Sequence, residues 1–123
     1  MESKVELFTK DTKTSSKFYQ DMFGFEIVKK NQGYIGLKKD SVRIAIDNIE
    51  ALSDNHYFNP EIKNQRKGLG VEIVFEVENI EETYALFKEY PIESELKQQP
   101  WGKKDFRIKD PDGYYIRVTT TSQ

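Results

Sequence analysis

Two stretches of the sequence, KVELFTKDTKTSSKFY at residues 4–19 and EIVFEVENIEETYALF at residues 72–87, align with each other without a gap. Each begins with a strand-like alternation of apolar residues and continues into a pattern typical of an amphipathic helix. A second pair, DSVRIAI at 40–46 and DGYYIRV at 112–118, aligns in the same order further along each half. The sequence therefore predicts an internal repeat in which each half forms one structural module.

The first half predicts the order strand, helix, strand, strand, strand. Asp11 is an expected N-cap, apolar side chains then recur on one helical face, and Gly24 stands where a helix commonly ends in the left-handed conformation. The predicted elements are a strand at 5–9, a helix at 11–23, and strands at 25–30, 33–39 and 41–47.

The second half predicts the same order. Asn79 and Glu82 have the spacing of a capping box, and Pro91 is expected to end the helix. The segment Asp-Pro-Asp-Gly at 110–113 is typical of a hairpin turn. The predicted elements are a strand at 71–77, a helix at 79–90, and strands at about 94–99, 104–109 and 114–119.

Together these elements predict an α+β fold of two βαβββ modules in tandem, with mixed sheets curled around a cavity. Residues 1–123 are expected to form a single domain, with module one at about 1–47 and module two at about 71–121. Residues 48–70 between them are polar and lack periodicity, so they are expected to form a long linker. A loop of this length in a small domain is usually functional or mobile.

Composition excludes several kinds of site. The net charge of −2 argues against nucleic acid as the main partner, because phosphate binding needs a basic surface. The absence of cysteine excludes disulfides and zinc–thiolate sites, and the single histidine, His56, cannot build a three-histidine zinc site. No signal-like region or apolar run of ~18–20 residues is present, so we expect a cytoplasmic protein that does not bind membranes.

Alternation in the first and last strands of each half separates an apolar face from a mixed one. The mixed face is too charged for a dry core, so it is either ordinary solvent-facing surface or the wall of a wet cavity. The apolar positions, expected to pack against the helices, are Val5, Leu7, Val42, Ile44, Ile46, Val71, Ile73, Phe75, Val77, Tyr114, Ile116 and Val118. The mixed positions are Lys4, Glu6, Phe8, Arg43, Ala45, Asp47, Glu72, Val74, Glu76, Tyr115, Arg117 and Thr119.

Several motifs carry a resemblance to a known family. SSKFYQDMFGFEIV after the first strand, GVEIVFEVENIEETYALF at the start of the second half and QPWGKKDFRIKDPDGYYIRV near the end resemble the vicinal oxygen chelate superfamily. This is the group of glyoxalases, bleomycin-resistance proteins and extradiol dioxygenases, and the resemblance covers nearly the whole chain. HYFNPEI at 56–62 and QPWG at 99–102 are most similar to the bleomycin-resistance branch.

The resemblance implies that enzymes of this group hold a divalent metal with His or Glu on the first and last strands of the modules. The matching positions here are Lys4, Ala45, Glu72 and Arg117. Arginine has no lone pair to donate, lysine would first have to lose its proton, and one carboxylate does not hold a metal. We therefore expect neither a metal ion nor another cofactor.

Lys4, Glu72 and Arg117 are instead expected to form an ion-pair cluster of net charge about +1. Two interpretations stay open: a structural cluster in place of the metal, or an anchor in which Arg117 binds a carboxylate or phosphate. Further residues expected to bind a ligand are the aromatic Phe8, Tyr57, Phe58, Trp101 and Tyr115. Glu6, Glu76 and Tyr115 are possible acid, base or donor groups.

The favoured hypothesis is a metal-free protein that binds a small molecule, such as an antibiotic or another planar or polar compound, without turnover. The resemblance also implies a homodimer, with ligand grooves between modules of different chains. The alternatives are a metal-dependent glyoxalase, dioxygenase or thiol transferase, a metal-independent isomerase or lyase using Glu72 or Tyr115 as base, and a dimeric scaffold without a ligand.

Overall fold

The computed structural model describes residues 1–59 and 66–121. The chain divides into two compact units, Met1–Lys67 and Gly68–Gln123. Each unit contains a four-stranded mixed sheet with an α-helix, so the predicted pair of βαβββ modules is confirmed. Part of the predicted linker, including the last three residues of HYFNPEI, lies outside the described residues.

The first unit begins with β1 (Val5–Thr9) and α1 (Thr12–Phe23). Its remaining strands are β2 (Glu26–Asn31), β3 (Tyr34–Lys39) and β4 (Val42–Asn48), followed by a short 3-10 helix, Ile49–Ala51. The strand order is β1-β4-β3-β2, with β1 parallel to β4 and the other pairs antiparallel.

The limits of α1 follow from its two caps. Asp11 Oδ1 accepts a hydrogen bond from the backbone N–H of Thr14 at 3.1 Å, which satisfies one of the first free N–H groups of the helix. Gly24 adopts φ of 76°, a left-handed conformation that costs glycine little, and ends the helix as predicted. Between the caps, Phe18 and Tyr19 are buried against the sheet.

The second unit repeats this arrangement. It comprises β5 (Ile73–Val77), α2 (Ile80–Ala85), β6 (Ser94–Gln98), β7 (Lys104–Lys109) and β8 (Tyr115–Thr120). The strand order is β5-β8-β7-β6, and β5 is parallel to β8. The turn at 110–113 is confirmed, and Oδ1 of Asp110 accepts the backbone N–H groups of Asp112 and Tyr114, both at 2.9 Å.

The second helix is shorter than predicted, since α2 ends at Ala85 and not at residue 90. The following residues form three-residue turns, in which the N–H of Phe87 donates to Tyr84 and that of Tyr90 donates to Phe87. In 3-10 geometry, which is tighter than that of an α-helix, side chains three residues apart lie on the same side. The rings of Tyr84 and Phe87 thereby pack on Phe106 of β7, at centroid distances of 4.9 and 5.4 Å. The shorter helix thus ends in turns that keep both rings on the sheet.

Most of the predicted core positions are buried. These are Leu7, Ile44, Ile46, Phe75, Tyr114, Ile116 and Val118. The prediction was wrong for Val5, Val42 and Val71, which are exposed, because they lie at or before strand ends where the helix no longer covers the sheet. Across residues 1–59 and 66–121, no helix has the length and apolar character needed to cross a membrane.

The packing of the aromatic cluster in the second unit predicts that substitutions at two adjacent residues differ strongly in their effect on stability. Phe87 is fully buried, whereas the side chain of Leu86 is 54% exposed. We expect Phe87→Ala to lower the free energy of unfolding by about 3–5 kcal/mol, because it removes a buried ring and leaves a cavity. Leu86→Ala, the matched control, should cost less than ~1 kcal/mol. Urea denaturation followed by Trp101 fluorescence measures both, and equal losses would contradict the described packing.

Candidate functional site

A cluster of charged side chains lies on the sheet of the second unit, on the face that does not carry α2. Arg107 and Arg117 stand directly opposite each other in β7 and β8. Their neighbours Ile108 and Ile116 alternate with them and are fully buried. Glu72, just before β5, lies between the two guanidinium groups: its Oε1 is 3.1 Å from Arg117 Nε, and its Oε2 is 3.4 Å from Arg107 Nε. The first contact is a hydrogen bond, and the second is an ion pair without hydrogen-bond geometry.

Asp105 completes the cluster from beneath the arginines. Its side chain is fully buried, and its Oδ1 accepts a hydrogen bond from Gln99 Nε2 at 2.7 Å. Its Oδ2 lies 3.9 Å from both Arg107 Nη2 and Arg117 Nη1 and makes no hydrogen bond with the described residues. A buried carboxylate is costly unless opposite charge is close, and the two guanidinium groups supply that charge.

The predicted contact between Glu72 and Arg117 is present, but the cluster differs from the expected one in charge. Two arginines balance two carboxylates, so these four side chains are neutral in sum. The sequence interpretation missed Asp105 and Arg107, although the alternation in KDFRIK at 104–109 places both opposite the core residues of that strand.

Lys4 has its described partners within the first unit. Its Nζ is 3.3 Å from Glu6 Oε2 and 3.5 Å from the hydroxyl of Tyr34. These hydrogen bonds raise the pKa of Lys4, with Glu6 the larger cause. A contact between Lys4 and the Glu72–Arg117 pair stays a prediction.

The first unit also brings two carboxyl groups together, Glu6 on β1 and Asp47 on β4. Burial raises the pKa of Asp47 to about 6, and the hydrogen bond and negative charge of Glu6 add to that shift. The hydrogen bond from Asp47 holds the pKa of Glu6 below its usual range, and Lys4 contributes in the same direction. The two groups therefore share one proton below about pH 6. The sequence placed both residues on the mixed face but did not pair them.

Aromatic side chains gather beside this carboxyl pair. Phe8 of β1 contacts the rings of His56 and Phe58, each at a centroid distance of 5.3 Å. His56 Nδ1 accepts the backbone N–H of Phe58 at 3.2 Å, which fixes the ring on the loop. Tyr57 contacts Phe58 and is 89% exposed. Three of the predicted aromatic residues, Phe8, Tyr57 and Phe58, are thus brought together, and His56 has partners that the sequence did not indicate.

The other two predicted aromatic residues belong to the second unit. Trp101 lies in the turn that joins β6 to β7 and is 60% exposed. That turn is closed by hydrogen bonds from Gln99 N–H to Lys103 and from Gly102 N–H to Gln99. Tyr115 is half-buried in β8 and pairs with Lys109. Tyr115 shares a sheet face with Arg117, whereas Trp101 is an exposed platform on a turn.

Comparison with known proteins fits the repeated modules and their sheet order. The family model of the glyoxalase/bleomycin resistance protein/dioxygenase superfamily matches residues 3–118 of this chain. The chain belongs to this superfamily. A search of curated proteins gives no match.

Solved structures with the same fold include proteins of different functions. A glyoxalase/bleomycin resistance protein/dioxygenase family enzyme from Burkholderia phytofirmans is 18% identical over 98% of both chains, with a TM-score of 0.81. A lactoylglutathione lyase from Agrobacterium tumefaciens is 22% identical over 98% of this chain and 93% of its own, with a TM-score of 0.74. A bleomycin resistance determinant encoded on transposon Tn5 is 18% identical over 100% of this chain and 99% of its own, with a TM-score of 0.68. At these identities the likeness establishes the fold alone.

The superfamily implies a metal centre in its enzymes, but the residues of this chain do not fit one. Both carboxylate oxygens of Glu72 are engaged by arginine, and Arg117 itself occupies a position that the resemblance assigns to a ligand. Ala45 offers no donor atom, and Lys4 is a cation. Within residues 1–59 and 66–121, no group of three or more His, Cys, Asp or Glu side chains is arranged to hold a metal ion.

The carboxyl pair of the first unit predicts an unusual titration. Asp47 holds its proton to about pH 6 in the folded chain, whereas an unfolded aspartate loses it near 3.8. At Asp47 the folded state therefore binds more protons than the unfolded state between these values, and the stability that this group contributes falls as pH rises through the window. The lowered pKa of Glu6 offsets part of this fall near pH 4.5. We expect a loss of about 1 kcal/mol, because solvent screening of a half-buried pair reduces the full effect.

Carboxyl-carbon NMR measures the titration of Asp47 directly, and thermal unfolding at pH 4 and pH 7 measures the stability. Glu6→Gln should lower the pKa of Asp47, because it removes the neighbouring negative charge. Asp47→Asn should remove the fall in stability over this window. Normal titration of Asp47 near pH 4 in the wild-type protein would contradict the described pair.

Proposed function

We propose that this protein binds a small planar or polar molecule without a metal ion and without converting it, as a sequestering protein. The arginine pair carries the proposal. Where the resemblance places a metal ligand, this chain has Arg117, and Arg107 stands directly opposite it. Both guanidinium groups remain protonated at any physiological pH and only donate hydrogen bonds. They repel a divalent cation and favour a ligand with acceptor atoms.

Exposed aromatic rings support a planar ligand. Trp101 is 60% exposed and Tyr57 is 89% exposed, which is unusual for side chains of this size and leaves their faces available for stacking. The bleomycin resistance determinant of Tn5 shares the fold, which supports antibiotic sequestration as one form of this function. The lactoylglutathione lyase shares it as well, so the side chains, and not the fold, have to decide between binding and catalysis.

We also propose that the protein acts as a homodimer, as the resemblance to the bleomycin-resistance branch implies. The resemblance implies that the ligand grooves of such a dimer are shared between the two copies of the chain. Light scattering of the purified protein tests this part of the proposal separately from ligand binding.

A second candidate function is a metal-independent isomerase or lyase. The observation that favours it is the Glu6–Asp47 pair, because a carboxyl group with a pKa of about 6 is suited to accept and donate protons near neutral pH. In this candidate function the Glu6–Asp47 pair would serve as the acid–base group in place of Glu72 or Tyr115. Turnover of a ligand that is lost in Asp47→Asn, with binding retained, would establish this function in place of sequestration.

The side chains at the positions that the resemblance assigns to metal ligands predict weak metal binding. We expect calorimetric titration with zinc, nickel, manganese and iron(II) to give no site tighter than ~100 μM. The purified, untagged protein should likewise contain no stoichiometric metal by mass spectrometry. Arg117→Glu is the matched control: it replaces a cation with a carboxylate beside Glu72 and Asp105, so it should bind these ions more tightly. Micromolar affinity in the wild-type protein would overturn the metal-free proposal.

Trp101 provides a direct signal for ligand binding because it is the only tryptophan. We expect bleomycin or another aromatic antibiotic in a screened panel to quench its fluorescence saturably in the micromolar range. Trp101→Phe should weaken that ligand about 10-fold when binding is measured by calorimetry, since the smaller ring provides less stacking surface. If Trp101→Phe leaves the affinity unchanged, Trp101 is not part of the binding site. If no compound of the panel binds, the proposal that the protein sequesters such compounds is contradicted.

A further inference from the structure

We infer that Arg107 and Arg117 form a clamp for an oxyanion, positioned by buried Asp105, and that the ligand of this protein carries a carboxylate or phosphate group bound there. Glu72 is the carboxylate of the chain that competes with this ligand. This inference rests on the proposed binding function and names the ligand chemistry that it requires. The clamp lies entirely within the second unit.

Each guanidinium group has two ion-pair contacts, one with Glu72 and one with Asp105. Glu72 engages the Nε of Arg117 at 3.1 Å and that of Arg107 at 3.4 Å. Asp105 Oδ2 lies 3.9 Å from one terminal nitrogen of each arginine, Arg107 Nη2 and Arg117 Nη1. Among the residues that the structure describes, the remaining terminal nitrogens, Arg107 Nη1 and Arg117 Nη2, have no acceptor. Each of the two neighbouring guanidinium groups therefore keeps one terminal nitrogen without an acceptor among the described residues.

Asp105 is the positioning residue of the clamp. Like charges directly opposite each other on neighbouring strands repel, so the pair of arginines needs a compensating anion. Asp105 is fully buried, is fixed by Gln99 at 2.7 Å, and leaves Oδ2 without a hydrogen bond among the described residues. Such a carboxylate cannot turn toward water, and it holds both guanidinium groups on one side of the sheet.

The chemistry of the free donors selects the ligand. Arginine presents a planar fork of N–H groups that matches two oxygens of a carboxylate or phosphate, and it has no acceptor for a cationic or neutral donor group. The side chains of Arg107 and Arg117 are 24% and 23% exposed, so a small anion can reach them. Glu72 is the more exposed carboxylate, at 36%, and it competes with the ligand for the same cations.

Three small probes that share a benzene ring test the inference: benzoate, phenyl phosphate and benzylamine. Arginine Nε–Hε signals followed by NMR report on the clamp during each titration. We expect both anions to shift the signals of Arg107 and Arg117 saturably at millimolar concentration, and benzylamine to leave them unchanged. The tighter of the two anions identifies whether a carboxylate or a phosphate is the preferred group. Equal binding of benzylamine, or no binding of either anion, would overturn the inference.

Variants separate a shaped clamp from simple attraction between charges. Arg107→Lys and Arg117→Lys keep the charge but lose the fork, so each should weaken the better anion at least 10-fold. Arg43→Lys, in the first unit, is the matched control and should have no effect. Glu72→Gln should strengthen anion binding about 10-fold, because it removes the competing carboxylate. Unchanged affinity in both cluster lysine variants would show that no clamp exists.

The Asp105→Asn variant also distinguishes a positioned clamp from simple attraction between charges. It adds as much net positive charge as Glu72→Gln does, but it removes the group that positions the arginines. Weaker anion binding in this variant, with the fold intact by circular dichroism, is expected for a clamp, whereas stronger binding would contradict it. Should Asp105→Asn fail to fold, the lysine variants and Glu72→Gln decide the question.

Failure of the inference can be told apart from failure of the proposed function. If a neutral or cationic aromatic compound quenches Trp101 and none of the arginine variants alters its affinity, the protein is a binder without an oxyanion clamp. If a metal binds tightly and no organic probe binds, both proposals fall.

Discussion

The parallel pairing of the first and last strands in each unit is the constraint on which the rest of the structure depends. Parallel strands cannot be joined by a tight turn, so the chain must cross over through a helix and two further strands before the pair closes. In the first unit this sets Glu6 of β1 beside Ala45 of β4. In the second unit it brings Glu72 to Arg117. Side chains that lie far apart in the sequence, such as Glu72 and Arg117, thereby become neighbours on one sheet face.

Charge balance then determines what that face can do. The second unit keeps Glu72 but surrounds it with arginine, and buried Asp105 compensates the second positive charge. Such an arrangement is stable only as a set, because removal of one partner leaves an uncompensated charge with little water around it. The proposed anion binding depends on the same balance, because a ligand oxyanion beside the two arginines would compete with Glu72.

The two units use one backbone plan with different side chains. The cross-strand pair Arg107–Arg117 of the second unit corresponds to Gly36–Ala45 in the first. Two of the longest side chains in one unit thus replace two of the smallest in the other. The first unit instead carries a proton-sharing carboxyl pair beside the rings of Phe8, His56 and Phe58. The internal repeat preserves the fold, and divergence at a few facing positions gives each unit its own chemistry.

The sequence by itself determined the modules, since their order rests on local signals: Asp11 and Gly24 at the ends of α1, the period-two strands, and the turn at 110–113. It also placed Glu72 beside Arg117, because the repeat and the family resemblance agree on those positions. It overestimated α2, which ends at Ala85 and continues in turns with hydrogen bonds between residues three apart.

Only the tertiary structure showed that Asp105 and Arg107 complete the charge cluster and that Asp47 shares a proton with Glu6. Alternation along a strand indicates which face a side chain occupies, but strand register decides which charges meet. Burial decides how strongly they interact, and neither register nor burial can be deduced from one strand alone.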